Sequence, residues 1–304
     1  MKAKRKSLRK SIKKYWQLWL LIIPAIIHVA IFSYGPMYGI SLAFVDYKVK
    51  LGYLGSPFVG LKHFKRFLTY PGLIEMLKNT LSITLYNLAI FPNSIILALL
   101  FNELKNARFK KVVQMVTYAP HFLSSVVLCS LVTMLCGREG PLGLLYGFLT
   151  GGAPQNLLTI PEYFADIYIW SGEWANIGWS TIIYLAALAG VSPELVEAAR
   201  IDGANRLQVI WHVNIPCILP TIVITFIMNC GSIISVGFEK IFLLQNDLNL
   251  EASRVISTYV YEIGLIGGQV SYSTAIGLFN NLVNIAALLL VNRITKKVSG
   301  MGLW

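Results

Sequence analysis

Six apolar stretches of membrane-crossing length constrain this chain more than anything else in it: about 16–40, 77–101, 112–136, 164–189, 217–238 and 271–292. A helix that crosses the hydrocarbon core needs about 20 predominantly apolar residues. The stretches predict an all-α, polytopic membrane protein with six spans. Composition agrees where it discriminates: 13% of the residues are charged, against roughly 25% in a soluble domain. Most of the surface therefore does not face water.

Charge sets the orientation. The basic run from Lys2 to Lys14 precedes the first span and places the N-terminus on the cytoplasmic side. The run resembles the n-region of a signal peptide. However, the apolar stretch behind it is too long and no small-residue cleavage site follows, so it reads as an uncleaved first span. Trp16, Trp19, Tyr34 and Tyr38 flank that span as interfacial aromatics do. Lys105, Arg108, Lys110 and Lys111, then Arg200 and Arg206, then Arg293, Lys296 and Lys297 fall on the same side. Lys48, Lys50, Lys62, Lys65 and Arg66 form a competing external cluster. The expected organisation is a basic cytoplasmic N-terminus (1–15), a six-helix transmembrane domain (16–293) with a cytoplasmic loop at 190–216, and a cytoplasmic tail (294–304). This topology accounts for the net charge of +12, and no nucleic-acid partner is expected. Cys129, Cys136, Cys217 and Cys230 sit in or beside apolar segments without CxxC or His-rich context, and read as small hydrophobes rather than a disulfide or metal framework.

The stretch from Glu194 to Pro220 lies between two spans yet carries Glu194, Glu197, Arg200, Asp202 and Arg206. Ser192 and Pro193 occupy the N-cap and N1 positions of a helix. Gly203 breaks that helix, a second short helix starts near Asn205, and Pro216 and Pro220 mark the return to the membrane. Glu197 is expected to cap and orient the first helix and to pair with Arg200 or Arg206.

Glu197-Ala198-Ala199, three residues to Gly203 and nine more to Val213-x-Ile215-Pro216 resemble the EAA loop of ABC importer permeases, with Val213 and Ile215 as conservative departures. The segments YGPMYGISLAFVDYK (34–48), GSPFVGLKHF (55–64), VGFEKIFLLQN (236–246), VISTYVYEIGL (255–265) and SYSTAIGLFNNLVN (271–284) narrow the resemblance to the LplB/YteP-like branch of type I sugar-importer permeases. The resemblance implies a MetI/MalF-like permease fold and import of an oligosaccharide, often a fragment of a plant polysaccharide. It implies that Glu197, Ala198, Ala199, Arg200, Asp202, Gly203 and Ala204 couple the chain to an ATPase. The implied partners are a second homologous six-helix permease, two cytoplasmic P-loop ATPase subunits and an external sugar-binding protein, besides membrane lipid.

The chain has no G-x-x-x-x-G-K-[ST], no nucleophile elbow and no HExxH, and His28, His63, His121 and His212 are scattered. It is expected to be no enzyme and to hold no cofactor; ATP and Mg would be bound by the partner ATPase. Polar residues inside apolar spans are costly, so they are the candidates for a substrate path. Glu173, Trp174 and Asn176 combine a carboxylate, an aromatic face and an amide, the chemistry that binds sugars. With Asp166 and Trp170 they fit equally an aromatic belt at the external interface. Helical register places Ser232, Ser235 and Glu239 on one face near Asn229, and the last span offers Asn280, Asn281 and Asn284. Amides also bind helices together in membranes. Two competing functions remain: an ABC permease for a non-sugar solute, disfavoured by the branch segments, and an ATP-independent secondary transporter, which would show inverted internal repeats. No repeat is visible.

Overall fold

A computed structural model describes residues 14–303. The basic run up to Lys13, and Trp304, lie outside the described residues. Helices of six residues or more are labelled α1 to α13. By length and composition, five stretches are able to cross a membrane: Trp16–Phe44, Leu73–Glu103, Ser125–Thr150, Arg206–Cys230 and Val270–Ser299. The pair Pro161–Ala189 and Pro193–Ile201, bent by 74°, brings a sixth. Among the described residues there is no strand, only the isolated bridges Val45–Phe58 and Lys48–Gly52.

The chain divides into two compact units. The first comprises residues up to Leu68 together with Ile263–Leu278. It opens with α1 (Trp16–Val29), which continues through a π-helical turn (Ala30–Tyr34) into a 3-10 segment (Gly35–Phe44). α1 buries no residue. Behind it, α2 (Lys62–Leu68) packs Phe67. The His63 Nε2–H donates to the Val45 carbonyl at 3.1 Å, and the Arg66 guanidinium lies 4.1 Å from the ring centre of Tyr272.

The second unit, Thr69–Glu262 and Phe279 onward, is built around one helix. α8 (Pro161–Ala189) is 29 residues long, and its two halves feed different cores. Its N-terminal half packs Phe164, Tyr168 and Ile169 against Ile83 of α3 (Leu73–Ala89), Cys129 and Val132 of α6 (Ser125–Cys136) and Ile241 of α11 (Phe238–Leu244). The C-terminal half packs Tyr184 and Leu188 against Ile95, Ala98 and Leu99 of α4 (Pro92–Glu103) and Ile218 of α10 (Ile215–Cys230). Lipid is as apolar as these side chains, so close packing and interhelical hydrogen bonds hold the helices together. Gly178 shows how close: a Cβ there would stand 2.2 Å from the Thr117 carbonyl oxygen of α5 (Ala107–Tyr118). Only glycine lets those two backbones meet.

Three boundaries differ from expectation. The stretch 112–136 is not one helix. α5 ends in a 3-10 turn at Ala119–Phe122, where Pro120 lacks an amide to donate, and the Ser124 hydroxyl then accepts the Val127 N–H at 3.3 Å to start α6 afresh. The long apolar stretch there is instead Ser125–Thr150, formed by α6 and α7 (Pro141–Thr150). The fifth span stops at Cys230 rather than 238, and residues 231–237 form a turn. α13 (Val270–Ser299) runs past residue 293, so the tail expected from 294 begins as helix, leaving only a short end beyond Ser299. α9 (Pro193–Ile201) and α12 (Ile256–Tyr261) complete the set. Cys129, Cys136 and Cys230 are buried as expected, Cys217 is exposed, and all four are free.

Candidate functional site

A cavity of about 480 Å³ opens within the second unit, lined by α3, α4, α8, α10, the 231–237 turn and α11. Its wall alternates apolar side chains such as Ile83, Phe91, Ile183 and Val236 with polar ones. α3 contributes Thr84 and Asn87, α4 Ser94, α8 Glu173, Asn176, Ser180 and Tyr184, and α10 Thr225 and Asn229. Ser232 and Ser235 come from the turn and Lys240 from α11. The arrangement follows from α8: Glu173, Asn176, Ser180 and Tyr184 recur at three- and four-residue steps and so share one stripe.

Several of these groups are fixed. The Asn93 side chain of α4 lies near the half-buried Glu173 carboxylate. Asn176 donates to the Gly172 carbonyl at 2.9 Å, and its Oδ1 accepts from His121 Nδ1 at 3.0 Å. The His121 ring stacks on Trp179 at 4.4 Å between centres. The Tyr184 and Thr225 hydroxyls are hydrogen-bonded at 2.9 Å. Lys240 donates to the Tyr168 carbonyl, and its ammonium lies 4.6 Å from the Tyr168 ring centre. Toward the N-terminal end of α8, the Trp170 Nε1–H donates to the Tyr86 hydroxyl, which donates in turn to Asp166, each at 2.8 Å.

The loop beyond α8 is a compact knob held by its own hydrogen bonds. The Ser192 hydroxyl accepts the Glu194 N–H at 3.3 Å and opens α9. The helix ends in a Schellman motif: Gly203 N–H to Arg200 carbonyl at 3.1 Å, Ala204 N–H to Ala199 carbonyl at 2.9 Å. Gly203 takes φ +86°, the left-handed value this motif requires, with nothing within 4 Å of where a Cβ would stand. Asn205 and Gln208 then form a capping box, each side chain accepting the other's backbone N–H, at 2.7 and 2.9 Å. The short helix Arg206–Val209 follows, then a π-helical turn at Ile210–Asn214 that runs into α10. Leu195, Ile201, Leu207 and Trp211 stand half or more exposed on this knob, Ile201 at 86%.

Residues 91–300 match the family described as "Binding-protein-dependent transport system inner membrane component". The chain belongs to this family. It is 45% identical to the polygalacturonan/rhamnogalacturonan transport system permease protein YteP of Bacillus subtilis (strain 168), covering 100% of this chain and 95% of that one. It is 38% identical to protein LplB of the same organism, over 97% and 93% of the two chains. Among solved structures, a chain of a bacterial alginate ABC transporter, crystallised with an alginate pentasaccharide-bound periplasmic protein, superposes with a TM-score of 0.86 at 36% identity. That match covers 97% of this chain and 99% of the other. The all-α permease fold and the LplB/YteP-like branch both stand.

Of the path residues expected from sequence, the cavity brings together Glu173, Asn176, Asn229, Ser232 and Ser235. The others lie elsewhere. Trp174, one residue round the helix from Glu173, is 50% exposed and off the wall. Glu239 accepts from the Ser125 hydroxyl at 2.9 Å, outside the lining. The shared face expected for Ser232, Ser235 and Glu239 does not exist, because 231–237 is a turn rather than helix. That turn also takes the wall expected of α13: Asn284 binds the turn through the Ile234 N–H at 2.9 Å and the Ser235 hydroxyl at 2.7 Å. Asn280 does not line the cavity either, and its Oδ1 is buried without a hydrogen-bond partner among the described residues.

In the knob, Glu197, Ala198, Ala199, Arg200, Asp202, Gly203 and Ala204 form one helix end and its cap, as expected. Glu197 pairs with neither arginine: the one ion pair among the described residues is Arg254–Glu262, at 2.8 Å. Glu197 is exposed, and an exposed helix pair gains only about 0.3–0.5 kcal/mol, too little to hold two long side chains together. Ser192 supplies the cap expected of Glu197.

Sequence reasoning missed Asn87, Ser94, Tyr184, Thr225 and Lys240. Gly231 and Gly237, which bracket the turn, were the available signal for Lys240: a break there rotates the following helix and turns residue 240, rather than 239, inward.

Proposed function

We propose that this chain is the membrane-spanning permease of an ATP-driven ABC importer that carries an oligosaccharide, such as a fragment of a polysaccharide, into the cell. The observation that carries the reading is the pairing, on one helix, of a cavity bearing polar groups along the middle of α8 with an exposed knob beyond its C-terminal end. Hydroxyls, amides and a carboxylate around the cavity suit a polyhydroxylated cargo, each group donating to or accepting from sugar hydroxyls. The apolar surface of the knob suits docking against a cytoplasmic ATPase.

A single bundle of this size provides half of an enclosed path, so a second, related permease completes it. Two P-loop ATPases bind ATP and Mg, and this chain binds neither. An external binding protein delivers the cargo. Nucleotide-driven closure of the ATPases moves the knobs, and α8 carries that movement to the cavity, exposing it alternately to each side. Both chain ends and the 190–216 knob face the cytoplasm in this arrangement. The similarity of YteP and of the alginate importer chain, whose names specify polysaccharide-derived cargoes, supports the sugar class.

The test is purification of the tagged chain in mild detergent, followed by reconstitution of what accompanies it. Recovery of a second permease and a P-loop ATPase, with oligosaccharide uptake into proteoliposomes that requires ATP and the binding protein, is the expected result. Uptake by this chain alone without ATP would overturn the reading.

A further inference from the structure

Lys240 is a cation on the cavity wall without an ion-pair partner among the described residues. The charged side chains on the lining are Glu173 and Lys240. Lys240 is half-buried, and the groups it contacts are neutral: the Tyr168 carbonyl, to which it donates, and the face of the Tyr168 ring. No carboxylate lies within ion-pair distance of it among the described residues. An ammonium has three N–H donors, and one is used here.

The fold makes room for this group. Gly172 stands beside Glu173 on α8, and a Cβ at Gly172 would come 2.8 Å from the Lys240 ammonium nitrogen. The neighbouring Glu239 is tied to Ser125 on α6, which fixes α11 with residue 240 toward the cavity. Glu173 shares the lining but lies beyond ion-pair distance of Lys240, so the partly desolvated cation is matched by a cargo that brings a carboxylate to it.

We propose that Lys240 selects cargo by charge, and that the oligosaccharide carried here bears carboxylates, as a uronate chain does. This rests on the reading of the cavity as the cargo path. Lys240 is a specificity-determining residue in this account: a sugar carboxylate accepts its free N–H groups, and charge-assisted bonds of this kind are about twice as strong as neutral ones. A neutral sugar would leave the ammonium hydrogen-bonded but uncompensated, so discrimination comes from both gain and penalty.

The test uses the reconstituted complex with its binding protein, supplied at saturation with galacturonate or mannuronate trimers or with their methyl esters, which have the same length and no charge. Wild type is expected to take up the acids faster than the esters. Lys240→Gln should lower the ratio of acid to ester uptake about tenfold or more in the assembled complex. Lys240→Arg should restore the preference. Unchanged acid uptake by Lys240→Gln, or equal loss of acids and esters, overturns the inference. Wild-type uptake of the esters alone overturns it too, and leaves the oligosaccharide reading standing. ATP-dependent cycling with uptake of neither kind overturns the oligosaccharide reading itself.

Discussion

Gly203 and Gly178 are both indispensable, for opposite reasons. A side chain at Gly203 would touch nothing, so its cost is purely conformational: a non-glycine residue at φ +86° is strained by about 1–3 kcal/mol. Gly203→Leu is therefore expected to leave membrane insertion intact while loosening the Schellman cap. ATP-driven uptake should fall several-fold at near-normal ATP hydrolysis, read as the ratio of cargo moved to ATP consumed. At Gly178 the backbone is helical and the obstacle is the Thr117 carbonyl, which has nowhere to retreat without shifting α5. Gly178→Leu should separate α5 from α8 and lower the yield of assembled complex, measured by recovery of the monodisperse species in detergent. Equal behaviour of the two variants in both assays would contradict the distinction.

Among the elements, how well the sequence predicted the structure depended on the range of the interaction. The knob was readable because caps are local: Ser192 reaches Glu194, Gly203 reaches Arg200, and nothing distant is needed. The cavity was only half readable. Glu173 and Asn176 stand out as polar residues in an apolar span, but Tyr184 becomes a wall residue through Thr225 and Asn176 is held by His121, partners far away along the chain. Ser232 and Ser235 were chosen through a helical register that the 231–237 turn abolishes, yet they line the cavity anyway. Glu239 fails for the same reason. The capping box went unforeseen although Asn205 and Gln208 have its spacing. It yields a further prediction: Asn205→Ala should cost the short helix about 1 kcal/mol and raise protease sensitivity at 203–209 in the isolated permease, with protection returning when the ATPase binds. Unchanged cleavage would place the knob's rigidity elsewhere.

For the whole molecule, six apolar stretches give the class from sequence alone, while the breaks at Pro120, Gly137–Gly140 and Gly231–Gly237 needed the structure. The proposed orientation is open to a direct check. With Ala204 at the tip of the knob, Ala204→Cys should react with a membrane-impermeant maleimide in inverted vesicles and not in right-side-out ones. The reverse pattern would turn the molecule over and remove the ATPase from reach.

α8 leaves the cavity as an unbroken helix and meets the knob at a fixed 74° bend, whereas the chain returns from the knob through the π-helical turn at Ile210–Asn214. In the proposed importer, one limb would act as a pushrod and the other as a spring. A stroke applied at the tip would travel along α8 to Glu173 and Asn176, while the return limb would absorb the recoil before it reaches Thr225 and Asn229. The two walls of the cavity would then move unequally, prying open the groove between them.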